Sequence, residues 1–98
     1  MTGKSFIAYL RTSPEKREKM IALQTELKSL VFEQESDAIV YELLQSDEDR
    51  DRFVVVATFR DDAAFDKHMH IEFHDRLVAP IIACLAEEMK LDFYRSHG

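Results

Sequence analysis

The chain has 98 residues, 46% apolar and 33% charged, with two Gly, two Pro and one Cys, which suits one domain over residues 1–98 with a modest core and excludes a low-complexity or disordered segment. The formal net charge is −6, and Lys and Arg alternate with acids, so a phosphate backbone is repelled more than attracted and nucleic acid is excluded as a partner. No apolar run reaches bilayer length and the first four residues lack signal-peptide design, so no membrane association and a cytoplasmic location are expected.

Lys4 to Arg11 reads as a first strand, with Phe6, Ala8 and Leu10 on one face, Ile7 and Tyr9 on the other, and both faces buried. Ser13, Pro14 and Glu15 then form a helix start, because Ser13 can cap, Pro14 is pre-set for the first helical position and Glu15 favours the positive end of the dipole. The helix is expected to run to about Phe32, with Met20, Leu23, Leu27, Leu30 and Val31 as its apolar stripe. Ile39 to Gln45 and Arg52 to Phe59 read as a hairpin joined by the acidic turn Ser46 to Asp51. That turn is no calcium loop of the EF-hand kind, since Arg52 stands where Gly is needed and Thr58 where the bidentate Glu belongs.

The most informative stretch runs from Phe53 to His74. A β-branched and aromatic strand stops at Asp61 and Asp62, which supply an N-cap, and runs into a short helix from Asp62 to Met69 that carries Phe65 and His68. A further helical segment from Glu72 places Phe73, Leu77, Ile81 and Leu85 at helical spacing, with a kink or break expected at Pro80. Cys84, beside Ile81, Ile82 and Leu85, reads as a small buried hydrophobe, and a single cysteine forms no intrachain disulfide. Lys90 to Ser96 is the last strand. The order βαββαβ is the α+β, ferredoxin-like split βαβ arrangement: a four-stranded antiparallel sheet with its helices on one face. Val54, Val55 and Val56 are consecutive, and Phe6 to Leu10 contains no polar residue, so the second sheet face is also apolar. Self-association through that face into a two-fold homodimer is the expected cover.

The pattern Glu35, Tyr41-Glu42-Leu43, Ser46, Phe53 with Val55, then Phe59 with Ala63-Ala64-Phe65 and His68 resembles the antibiotic biosynthesis monooxygenase (ABM) family over almost the whole chain. The resemblance implies a dimeric α+β barrel with a pocket in each subunit between sheet and helices. It also implies a monooxygenase that oxygenates small phenolic, quinol-like or polyketide-type substrates with no metal, flavin or haem, so no cofactor is expected. Such chemistry needs an apolar cavity for a flat ring and a group that removes a proton, so that an electron-rich anion can meet dioxygen. His68 is the first candidate for that group, with Tyr41 joining it if the hairpin pairs Tyr41 with Ala57. Val55, Ala57, Phe59, Phe65, His74 and Arg76 are the candidate substrate-pocket residues.

Several positions depart from the family pattern. Ser36-Asp37-Ala38 replaces a common Pro-Gly-small run, Ala57 a frequent glutamate, Phe59 a frequent tryptophan, and Val55 the asparagine of anthrone-type oxygenases. The haem-degrading branch needs an asparagine on the first strand and a later histidine, whereas this chain has no Asn and carries Val78 near the second position. Each candidate also has a plainer reading. His68 is either a base or a hydrogen-bonded residue orienting its helix, Phe59 and Phe65 are ring-stacking walls or core, and Arg76 is a cavity-mouth cation or an ion-pair partner of Glu72. His70 and His74, four apart on one helix face, are two metal ligands that need Asp66 or Asp75 to complete a site, and no metal is expected. Two other functions fit the same fold: an isomerase of a small phosphorylated carbonyl compound, drawing on Arg11, Arg60, Lys67 and Arg76, and a non-catalytic small-molecule-binding dimer.

Overall fold

A computed structural model describes residues 2–97. The elements are β1 (Thr2–Arg11), a single 3₁₀ turn (Pro14–Lys16) leading into α1 (Arg17–Gln34), β2 (Ala38–Gln45), β3 (Arg52–Phe59), α2 (Asp62–His70), α3 (Glu72–Ile82) and β4 (Lys90–His97). The sheet order is β2-β3-β1-β4 and every neighbouring pair is antiparallel, which is the ferredoxin-like topology expected from the element order.

Strict alternation along the two central strands builds the core. Phe6, Ala8 and Leu10 of β1 and Phe53, Val55, Ala57 and Phe59 of β3 are buried, while the residues between them point to the other face. The register aligns Tyr41, Ala57, Phe6 and Phe93 in one row across all four strands, and Leu43, Val55, Ala8 and Leu91 in the next. Pairing of Tyr41 with Ala57 was the condition for Tyr41 to join the site, and it is met. A bulge between Ala38 and Val40 starts β2 and leaves Ile39 exposed. Gly3 fits a tight place at the same end of the sheet, where an added Cβ would lie 2.7 Å from the Phe59 carbonyl oxygen.

The helices depart from expectation in three places. Ser13 makes no side-chain cap, and Pro14 opens the 3₁₀ turn instead of the α-helix itself. α1 continues to Gln34, and its buried stripe is Met20, Gln24, Leu27 and Val31, so a polar residue occupies a core position. α3 passes through Pro80 to Ile82 without the expected break there. Proline removes only the bond to the Arg76 carbonyl, and residue 76 is exposed, so water can satisfy that oxygen. The bidentate pair of Arg95 with Asp62, at 2.6 and 3.0 Å, ties β4 to the start of α2.

The outer face of the sheet corrects one expectation. Ile7 is only partly buried and Tyr9 is 40% exposed, so within one chain β1 is buried on one side alone. Val40, Leu44, Val54, Val56 and Tyr94 share that outer face, and Leu44 and Tyr94 are 46% and 49% exposed. Among the described residues, no helix is long and apolar enough to cross a membrane.

Candidate functional site

α2 begins where Asp61 accepts a 2.8 Å hydrogen bond from the Ala64 N–H, satisfying one of the free donors of the first turn. With the helix fixed there, Ala64 and His68, four residues apart, turn inward, and Asp66 and Lys67 turn out. His68 meets Glu35, which sits at the end of α1 with its N–H bonded to the Val31 carbonyl at 2.8 Å. Glu35 Oε2 lies 2.8 Å from His68 Nδ1, with the two side chains 4% and 1% exposed. An ionised carboxylate only accepts, so it holds a proton on Nδ1 and leaves Nε2 as the nitrogen free to exchange one.

The His68 ring packs 4.7 Å from Phe59 and 4.7 Å from His74, edge to face with the latter, and 5.9 Å from Tyr41. His68 Nε2 and His74 Nδ1 are both buried without a hydrogen-bond partner. Burial, reinforced by the neighbouring His68, holds the His74 pKa below the ordinary imidazole value, so the ring is kept neutral. Burial, and then the charge of Glu35, pushes the Tyr41 phenol well above its ordinary range, so it remains a hydrogen-bond donor.

Beside this cluster lies an apolar hollow of about 110 Å³, open to solvent at its mouth, between the inner sheet face and the helices. Phe6, Ala8, Leu27, Val55, Phe65 and Val78 contribute to its walls, and Gln24, Tyr41 and His74 are its polar points. Gln24 Oε1 is buried without a partner. Exposed Phe93 and Leu91 of the edge strand stand at the same hollow, and Lys4 Nζ lies 4.9 Å from the centre of the Phe93 ring.

The structure therefore sorts the sequence-derived candidates. Tyr41, Val55, Phe65 and His74 line the hollow. Ala57 is fully buried in the row between Tyr41 and Phe6, and Phe59 and His68 lie behind the wall. Arg76 is corrected: its guanidinium is 53% exposed and pairs with Glu72 at 3.3 Å and Glu26 at 3.6 Å, away from the hollow. His70 and His74 are corrected as a pair as well. Ile71 is extended and separates α2 from α3, so the two histidines belong to different helices, and His70 is exposed.

Glu35 and Gln24 are the site residues that sequence reasoning passed over. Their signal was spacing, because Met20, Gln24, Leu27, Val31 and Glu35 recur every three or four residues along one helical face. A second, smaller and more polar cleft opens on the far side of Glu35, lined also by Ser36, Asp37, Phe59, Ala64 and Lys67.

The family model described as antibiotic biosynthesis monooxygenase matches residues 5–79. A solved structure described as an antibiotic biosynthesis monooxygenase is 27% identical, with a TM-score of 0.84 over 93% of this chain and 95% of its own. A conserved Methanosarcina mazei protein is 23% identical, with a TM-score of 0.87 over 99% of this chain and 95% of its own. A Caulobacter crescentus protein reaches 0.89 at 17% identity, over 94% of this chain and 87% of its own, a likeness of fold alone. No curated protein matches the chain.

Proposed function

Because the chain belongs to the antibiotic biosynthesis monooxygenase family, we propose that it oxygenates a small, flat aromatic or quinol-like molecule held in the hollow, with dioxygen as oxidant and no bound cofactor. The observation that carries this reading is His74, an imidazole kept neutral by burial and set in the wall of an otherwise apolar space. A neutral imidazole can accept the proton whose loss makes the ring electron-rich, and apolar walls favour the flat ring over water. Tyr41, held protonated, donates a hydrogen bond to the developing oxyanion. Phe65 and Val55 bracket the ring, and His68 acts from behind through His74.

The working unit in this proposal is a homodimer, since the outer sheet face carries Ile7, Tyr9, Leu44, Val54, Val56 and Tyr94 with no helix over them. A phosphorylated carbonyl substrate is less well served. Arg11, Arg60 and Arg76 each pair with carboxylates, and Lys67 lies at the second cleft and not at the hollow. Oxygen uptake by the purified protein, measured with hydroquinones and the anthrone dithranol, tests the reading. Uptake with quinone formation that is lost in His74→Ala is expected; ligand-induced thermal stabilisation with no uptake would favour a binding module instead.

A further inference from the structure

The Glu35–His68 pair has a chemical group on each side of it. On one side His74, in contact with His68, lines the apolar hollow; on the other, Glu35 forms part of a polar cleft with Ser36, Asp37 and Lys67. Each of the two imidazoles in contact has a buried nitrogen with no hydrogen bond: His68 Nε2, and His74 Nδ1, whose nearest partner is the Asp75 carboxylate at 3.8 Å. A purely structural histidine in so dry a place is normally satisfied at both nitrogens, because each unpaired buried polar group costs about 1 to 3 kcal/mol. Here only Nδ1 is satisfied, by Glu35.

We propose that His74, His68 and Glu35 form a proton path that connects the hollow to bulk water through the cleft beside Ser36, Asp37 and Lys67. A proton taken from the substrate by His74 passes to His68 Nε2 when either ring tilts to bring the two bare nitrogens together. His68 releases its Nδ1 proton to Glu35 Oε2, and the carboxyl gives it to water in the cleft. One proton enters and one leaves, and His68 is left in its other tautomer. Once the substrate anion has reduced dioxygen to a carbon-bound peroxide, the same path run backwards returns the proton to the outer oxygen. The O–O bond then breaks, that oxygen leaves as water with the remaining hydrogen of the carbon as its second proton, the inner oxygen stays as the carbonyl, and His68 is reset. Glu35 never meets the substrate in this scheme, so it is a positioning and relay residue. Besides these three groups, Tyr41 and Phe59 face the His68 ring, the Asp75 carboxylate stands 3.8 Å from His74 Nδ1, and Lys67 is the cation of the cleft.

The proposal rests on the oxygenase reading for its substrate, but the path can be read in the ligand-free protein. Nitrogen-15 NMR of the imidazoles reports the His68 tautomer and the exchange of its Nδ1 proton with solvent. The expected result is an Nδ1-protonated ring whose proton exchanges at least tenfold faster than the backbone N–H of Val55 and Ala57, despite equal burial. Exchange should slow at least tenfold in Glu35→Gln. An Nδ1 proton exchanging no faster than those amides in the unaltered protein overturns the path, and that result requires no variant to fold. If dithranol is turned over, Glu35→Gln should lower kcat tenfold or more, leave KM for dithranol unchanged, and recover activity in small-molecule buffers that carry protons; equal losses in kcat and KM without recovery overturn it. Absence of turnover with rapid exchange counts against the oxygenase reading and leaves the path standing.

Discussion

Removing the Glu35 carboxylate tests how the buried pair is charged. In Glu35→Ala the His68 Nδ1 proton loses its 2.8 Å partner in a site where His68 is 1% exposed and no other side chain bonds that nitrogen, so only water entering from the neighbouring cleft could offset the loss. If the imidazole is neutral, the loss is that of one unsatisfied buried donor, about 1 to 3 kcal/mol. If it is an imidazolium, an unpaired buried charge remains and the loss rises to about 3 to 5 kcal/mol. For a domain of this size each kcal/mol moves Tm by roughly 4 to 8 °C, so the two cases separate in thermal and urea unfolding. Glu35→Gln keeps an acceptor oxygen and should cost less than about 1.5 kcal/mol. In a double-mutant cycle, Glu35→Leu with His68→Leu should recover most of the loss, because two apolar side chains leave nothing unpaired. A Glu35→Ala protein within about 0.5 kcal/mol of the parent, the range of ordinary surface changes, would refute a dry, mutually dependent pair.

Four further outcomes follow from the same geometry. Ala8→Phe should fill the hollow beside Val55 and abolish binding and turnover of dithranol while far-UV circular dichroism stays unchanged. His74 is held neutral in the folded protein and protonates more readily once unfolded, so the unfolded chain binds the extra proton below the ordinary imidazole pKa. Its stabilising share is therefore complete above about pH 6.5 and is lost as pH falls towards and through the depressed folded value; urea midpoints measured across that window should lose this component in His74→Phe. If the outer sheet face is the proposed dimer seam, the parent chain sediments as a dimer and Val56→Arg, in the middle of that face, sediments as a monomer with unchanged secondary structure. Arg76→Ala should leave turnover unchanged and alter stability by less than about 1 kcal/mol, because its ion pairs with Glu72 and Glu26 are solvent-exposed.

The sheet and its register were legible because alternation is a local signal. Phe53, Val55, Ala57 and Phe59 at period two put the correct face inward, and the hairpin then aligned Tyr41 with Ala57. The N-cap at Asp61 was equally local, one side chain reaching an N–H three residues on. What sequence reasoning missed is long-range. Glu35 and His68 are 33 residues apart, and no periodicity within either helix says that the two will meet. The division between a short helix from Asp62 and a further helical segment from Glu72 was legible too, and it already separates His70 from His74, so the reading of those two histidines as one helical face failed at the extended Ile71. Arg76 followed its plainer reading, since Glu72 one turn before it offered a partner that a cavity would have had to outcompete.

The central claim is that the hollow beside Tyr41 and His74 receives a flat aromatic ring, and a crystal structure of the protein grown with anthraquinone, the unreactive oxidised counterpart of an anthrone, addresses it most directly. The account expects planar density between Val55 and Phe65 with a carbonyl oxygen turned towards Tyr41 or His74. Anthraquinone bound elsewhere, with the hollow closed by the inward turn of Phe93 and Leu91, would contradict it.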